Sequence, residues 1–260
     1  MPFRQIGPLR AFQFESFESV NIEHAIFTRQ GGVSPEPWAS LNLGGTVGDE
    51  RDRVLANKQR ALDAFGRAAD SLYEVWQVHS ADVVLAREPR RNAELIKADA
   101  LITDSPDVTL LMRFADCVPI LIADPVRGAI GLIHAGWLGT VRQTATSAVR
   151  AMSAAFGSRP QDLVAGIGPS IGPDHYPVGE EVVGQVRAVF GDSADALLQP
   201  TNGHVHFDLW AANRRLLLHA GVGAIETADV CTACHLDDWY SHRGESGRTG
   251  RFAAMLALRG

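Results

Sequence analysis

A basic surplus is missing from this chain. Lys and Arg total 24 against 30 Asp and Glu, a formal net charge of −6 over 260 residues. A nucleic-acid binder carries a basic excess or a basic stripe, so that class of partner is set aside. Long apolar runs are missing as well. No uninterrupted stretch reaches the roughly 20 residues that a membrane-spanning helix needs, and the opening MPFRQIGPLRAFQF lacks the apolar core of a secretory signal. Cysteine is scarce. Three thiols cannot build a disulfide framework, so a reducing, cytoplasmic setting is expected, with metal binding or thiolate chemistry ahead of disulfides. No internal repeat, charge block or low-complexity linker divides the chain. What remains is 46% hydrophobic and 21% charged residues, ordinary for a globular protein, and a length that suits one α/β domain over residues 1–260.

Periodicity and turn chemistry predict strands at 22–28, 98–104, 108–114, 163–167 and 251–258, with a strand-rich stretch over 73–86 broken at His79-Ser80. Helices are predicted at 49–64, with Asp49 or Asp52 near its N-cap, at 139–156 with Thr140 as cap, at 179–190, and at 207–220 with Asp208 near its start. The elements mix without strict βαβ alternation. That favours an α/β (mixed α+β) domain, mixed sheets flanked by helices, over a Rossmann or barrel fold.

Cys117 and His134 bracket one passage that reads as a β-hairpin: two apolar runs, 118–123 and 129–133, flank Asp124-Pro125-Val126-Arg127-Gly128. Asp, Pro and Gly form turns through side-chain capping, fixed φ and access to positive φ. Folding about Pro125-Val126 pairs residues whose numbers sum to 251, which sets Cys117 opposite His134. His79 lies at the break between two predicted strands, where functional side chains tend to project. His79, Cys117 and His134 together make a His2Cys set with one position open, the pattern of a catalytic zinc site. Asp116 adjoins Cys117 as a partner for that set or a general base. The same three side chains also suit a metal-free Cys–His nucleophile pair or a blue-copper site, and a buried structural Cys with a nearby His is the plainest alternative.

Other motifs weigh less. Cys231-Thr232-Ala233-Cys234-His235 has the spacing of c-type haem attachment, but a CxxC redox pair or an incidental pair outranks it. His204-Val205-His206 puts two imidazoles on one face of a strand, and reads first as a solvated strand edge. Arg243 and Arg251 stand in a glycine-rich stretch that suits an anion cradle. Arg29, before Gly31-Gly32, invites the same reading, and Asn42 sits in a second backbone-exposing stretch, Leu41-Asn42-Leu43-Gly44-Gly45.

The segments FTRQGGVS, SLNLGGTVGD, WQVHSADVV, ADALITD, ADCVPILIADP, IGLIHAGW, IGPSIGP, HFDLWAANR and TGRFAA resemble, in order, the laccase-domain family, also described as multicopper polyphenol oxidase-like or YfiH-like. The resemblance runs from about Phe27 to the C-terminus. It implies a single YfiH-like, cytotoxic-necrotizing-factor-like domain with a metal site on His79, Cys117 and His134. It further implies a zinc-dependent purine nucleoside enzyme that phosphorolyses adenosine or inosine and deaminates adenosine, with nucleoside and phosphate as its small-molecule partners. Substrate contacts are expected at Arg29, Asn42, Arg243 and Arg251. Older descriptions of the family imply copper and polyphenol oxidation instead, and the grouping with cysteine hydrolases implies a metal-free site. The oligomeric state is left open. The chain departs from the family pattern at Leu138, where a cation is usual and where Arg142, one helical turn on, is placed to compensate. It departs also at Ser80, Ser170 and Gly244.

Overall fold

The computed structural model describes residues 3–90, 94–201 and 203–260; Met1 and Pro2 of the expected 1–260 domain lie outside it. In chain order its strands are β1 (Phe3–Ile6), β2 (Leu9–Phe12), β3 (Ile22–Phe27), β4 (Leu72–Tyr73), β5 (Val83–Leu85), β6 (Ala100–Thr103), β7 (Thr109–Phe114), β8 (Val118–Asp124), β9 (Ala129–Ala135), β10 (Val164–Ile167), β11 (Pro177–Val178), β12 (Leu198–Thr201), β13 (His204–Phe207), β14 (Ala224–Thr227) and β15 (Phe252–Leu258). Five α-helices accompany them: α1 (Arg51–Phe65), α2 (Trp137–Val141), α3 (Thr144–Phe156), α4 (Glu180–Phe190) and α5 (Leu209–His219). Among the described residues no helix is long and apolar enough to cross a membrane.

Two six-stranded mixed sheets carry the architecture, ordered β1-β2-β3-β15-β7-β4 and β14-β10-β8-β9-β6-β5. They pack face to face. Alternation along the strands shows how: on β15, Phe252, Ala254 and Leu256 join Leu121, Leu132 and other residues of the second sheet in one apolar layer, while Ala253, Met255 and Ala257 turn to the opposite face, where Leu62 and Phe65 of α1 cover them. The far face of the second sheet buries Val118, Ile120 and Ile133 against α3 and α5. The result is four layers, helix, sheet, sheet, helices. Both central sheets are covered on two sides, so β8, β9 and β15 are buried at every position, which is why their sequences read as continuous apolar runs. A small sheet, β11-β13-β12, adds to the helical side.

The mixed α+β class holds, and the details correct several expectations. The β8–β9 register pairs Val118 with Ala135 and Asp124 with Ala129, so paired numbers sum to 253 rather than 251. The loop is four residues long because the Asp124 side chain accepts the backbone N–H groups of Val126 and Arg127 and Gly128 takes a left-handed φ of 65°. A turn centred on Pro125-Val126 would forgo that capping. The single helix expected over 139–156 is two, α2 and α3, divided at Gln143, whose φ is 60°. Asp49 and Asp52 flank the N-cap of α1, near which they were expected. Glu50 holds the N-cap position without a side-chain bond, and Asp49 Oδ2 accepts from Ser34 Oγ and Asn42 Nδ2. Asp208 does cap α5, accepting the Ala211 N–H at 2.9 Å. His204-Val205-His206 forms the central strand of the small sheet, not an edge.

Candidate metal centre

Successive side chains of a strand alternate between faces. On β9, Ile130 and Leu132 point into the layer between the sheets, and His134 continues that series to the end of the strand. Extending the observed register by one residue sets Cys117 opposite Gly136, so Cys117 and His134 are diagonal neighbours on one face. Gly136 is the contact that lets them converge: a Cβ there would lie 2.8 Å from Cys117 Sγ and 3.2 Å from His79 Cδ2.

His79 arrives from outside both sheets. Within the expected strand-rich stretch of 73–86, only Tyr73, at the end of β4, and Val83–Leu85 lie in strands. Between them the chain loops over the site, with His79 at φ 59°. One buried acid shapes that loop. Asp99 Oδ2 accepts the backbone N–H groups of Val78 at 3.1 Å and Ser80 at 2.6 Å, and Asp99 Oδ1 meets His134 Nδ1 at 2.8 Å. From the far side, Arg142 Nη1 donates to the His79 carbonyl at 2.7 Å and Thr144 Oγ1 to the Ser80 carbonyl at 2.8 Å. The break between α2 and α3 puts those two side chains there.

His79 Nε2 lies 3.8 Å from Cys117 Sγ, the two imidazole centroids are 4.9 Å apart, and the donor atoms of His79, Cys117 and His134 all fall within 4.8 Å of one another. Burial alone pushes the Cys117 thiol up, but His134 and His79 outweigh it and hold its pKa down at about 6. Burial likewise works against a charged His134, yet Cys117 and Asp99 raise it to about 9. The cluster therefore favours a thiolate. A thiolate with two imidazoles, one pinned by a carboxylate on its other nitrogen, is a soft three-donor set able to hold zinc or copper.

These side chains lie on the floor of a cavity of about 590 Å³, whose walls include Trp76, Trp137, Tyr176, Arg113, Arg243 and Arg251. That volume is within the roughly 300–1,000 Å³ of small-molecule sites. Arg243 Nη1 donates to the Pro177 carbonyl at 3.0 Å and its guanidinium lies 5.0 Å over the Tyr176 ring. Arg251 Nη1 donates to the Gly250 carbonyl at 2.7 Å. Both cations are thus held in place at the wall. Arg113 is turned toward Glu74, with which it makes an ion pair, and donates from Nε to the Leu43 carbonyl at 2.9 Å.

The remaining sequence candidates sit differently. Asp116 lines the cavity at φ 79°, but Thr232 Oγ1 donates to its Oδ1 at 2.7 Å and the Arg243 N–H to its Oδ2 at 2.6 Å. A carboxylate so engaged braces two loops beside Cys117. Arg29 lies outside the cavity. Its guanidinium donates to the Ala39 and Leu236 carbonyls, pairs with Glu245 at 3.0 Å and stacks 4.4 Å over Tyr240, so it is engaged by the protein's own groups. Asn42 is fully buried. Its Oδ1 accepts the N–H groups of Gly44 and Arg251, so it carries the strand that presents Arg251 rather than facing a ligand. Asp99 and Arg142's contact with His79 were missed. The only sequence trace of Asp99 was an acid at the mouth of an apolar strand.

The family profile described as multi-copper polyphenol oxidoreductase laccase matches residues 23–259. The chain belongs to this family. Among similar members, one named purine nucleoside phosphorylase from Deinococcus radiodurans is 40% identical, over 91% of this chain and 89% of its own. Another, purine nucleoside phosphorylase YlmD of Geobacillus stearothermophilus, is 36% identical over 89% and 88%. The crystal structure of YlmD from the same organism superposes with a TM-score of 0.93 at 33% identity, covering 100% of this chain and 99% of that one. The YfiH protein of Bacillus licheniformis gives 0.91 at 33% identity, over 99% of both chains. The laccase-family fold expected from the sequence is thereby shown.

Proposed function

We propose that this chain is a zinc-dependent purine nucleoside enzyme, acting by phosphorolysis of adenosine or inosine and by deamination of adenosine. One observation carries the reading: a thiol and two imidazoles converge on the floor of a cavity that has aromatic rings and fixed arginines on its walls. Relatives at 40% and 36% identity bearing the name purine nucleoside phosphorylase support it.

The donor set fits zinc. Three donors are drawn together, His134 has its Nδ1 committed to Asp99, which leaves Nε2 for an ion, and Gly136 keeps the approach clear. Zinc held by His79, Cys117 and His134 would supply Lewis acidity at the cavity floor. The protein's own groups do the rest. Trp76, Trp137 and Tyr176 offer ring faces and edges to a flat purine. Arg243 and Arg251 offer fixed guanidinium forks to a phosphate dianion. In phosphorolysis a phosphate oxygen bonds to C1′ as the C1′–N9 bond breaks, and those cations neutralise the attacking anion. In deamination water replaces the C6 amine as ammonia leaves.

Leu138 does not weaken this assignment. It packs with the apolar layer under the helices and is not among the residues lining the cavity, and the reading takes its phosphate cations from the 243–251 segment. Arg142 does not substitute for a cation at 138; it supports His79.

The test is direct. Protein purified without added metal is assayed for zinc and copper, then given adenosine with and without inorganic phosphate. Ribose 1-phosphate that forms only with phosphate, and inosine plus ammonia without it, are expected. Copper with oxygen uptake on a phenol marks the oxidase reading instead. Nucleoside or ester cleavage that persists in metal-stripped protein marks the Cys–His hydrolase. No turnover of any purine nucleoside by zinc-loaded protein overturns the proposal.

A further inference from the structure

A second cluster of metal-binding side chains lies outside the cavity. Asp174, His175, Cys231 and Cys234 bring one carboxylate oxygen, one imidazole nitrogen and two sulfurs within 4.8 Å of one another. Cys234 Sγ is 3.5 Å from His175 Nδ1 and 3.7 Å from Asp174 Oδ2. Cys231 Sγ is 3.8 Å from His175 Nδ1, and His175 Nδ1 is 3.0 Å from Asp174 Oδ2. Zn–S bonds of about 2.3 Å and Zn–N or Zn–O bonds of about 2.0–2.1 Å, arranged tetrahedrally, separate donor atoms by roughly 3.3–3.8 Å. Three of these four separations fall in that range, and the fourth is slightly short.

We propose that these four side chains form a second, structural zinc site. The two cysteines are free thiols in the C-x2-C spacing that lets adjacent sulfurs share one ion. Cys231 Sγ also accepts the Gly172 N–H at 3.2 Å, the kind of amide bond that settles negative charge on a ligating sulfur. The donor number differs from that of the cavity floor: four protein donors close a tetrahedron, whereas His79, Cys117 and His134 leave a position open.

The placement says what such an ion would do. It would clip the turn Pro173–His175 to the loop that begins at Cys231. Tyr176, next after that turn, lines the cavity. Thr232, between the two cysteines, braces Asp116 beside Cys117. The 170–176 and 231–234 segments otherwise join through a single parallel bridge, Ser170 with Cys231, and a few side-chain bonds. The haem and redox-pair readings of Cys231-Thr232-Ala233-Cys234 give way to this one, which stands whatever reaction the cavity performs.

Metal analysis of the whole chain tests it. Wild-type protein, purified without a chelating tag, should hold two zinc equivalents. Cys117→Ser should retain one, His175→Ala with Cys234→Ser should retain one, and the triple variant none. His175 and Cys234 are exposed, and circular dichroism checks that the double variant stays folded. Cobalt added to metal-free Cys117→Ser should give a thiolate-to-cobalt absorption that Cys117→Ser with Cys234→Ser loses. A chelator should lower the unfolding midpoint of Cys117→Ser and leave that of the triple variant, which holds no zinc, unmoved. A single equivalent in the wild type that disappears with Cys117→Ser overturns the site, as does a Cys231–Cys234 disulfide in freshly purified protein.

Discussion

Asp99 and His134 are joined by a 2.8 Å hydrogen bond between carboxylate Oδ1 and imidazole Nδ1, and the same carboxylate ties down the loop on either side of His79. One acid, fully buried, thus orients two of the three candidate ligands. Partners of this kind are worth about 10–100-fold in metal affinity when removed. Asp99→Asn keeps the shape but loses the charge, and should weaken zinc binding by about that factor, measured by competition with a chromophoric chelator. Affinity within twofold of wild type would show that Asp99 only shapes the loop.

Gly136→Ala separates fold from site. The Gly136 backbone, φ −74° and ψ −175°, suits any residue. The obstacle is local: the added methyl meets Cys117 Sγ at 2.8 Å, closer than real Cβ contacts come, and His79 Cδ2 at 3.2 Å, tighter than most. The variant should fold with an unfolding midpoint near that of wild type, while zinc retention and nucleoside turnover fall at least tenfold. Full zinc occupancy and turnover in this variant would mean that the three side chains do not need their observed spacing.

Arg243 and Arg251 should separate phosphate from nucleoside. A hydrogen bond to a charged group contributes about 1.5–3 kcal/mol, a factor of roughly ten or more. Arg243→Gln and Arg251→Gln should therefore raise KM for phosphate by about tenfold or more, with deamination in phosphate-free buffer changed far less. Equal losses in both reactions would place these cations on the nucleoside instead. Arg29→Gln, by contrast, should lower stability through its lost Glu245 and backbone contacts and leave the KM for phosphate unchanged.

The strands and the three-donor set were legible because each rests on a local signal. Buried β8 and β9 read as apolar runs, and Cys117 and His134 stand at their ends. The hairpin register was two residues off because the Asp124 side chain, not Pro125, decides where the turn closes. Even so, a shift of two keeps every side chain on its face, so both residues still met. Asp99 stayed hidden because its partners, His134 and the amides of Val78 and Ser80, come from segments distant in sequence. The surroundings of Arg29 and Asn42 stayed hidden for a related reason. Arginine or asparagine beside glycines suits an anion cradle, but these two are consumed by backbone carbonyls and amides that only the folded loops bring near. The 231–234 motif was visible as a spacing, and its meaning depended on Asp174 and His175, nearly sixty residues earlier.

His24 gives a stability prediction away from both clusters. Its Nε2 accepts the Phe14 N–H at 2.8 Å, and its ring stacks on Phe14 and meets Phe17 edge-on. Burial, followed by the positive charges of Arg259 and Arg4, lowers its pKa from the ordinary 6.5 to about 4. Between those values the unfolded chain binds a proton that the folded chain refuses, so unfolding is favoured as pH falls. The contribution of His24 is complete above pH 6.5 and is lost progressively down to pH 4, a total of ~3 kcal/mol at 1.36 kcal/mol per pH unit. Denaturant midpoints measured from pH 7.5 to 4 should fall steeply in the wild type. His24→Gln, whose carbonyl oxygen can still accept the Phe14 N–H, should start from a lower midpoint and show a slope flatter by up to one proton over this interval. An identical slope in the variant would assign the acid sensitivity to other groups.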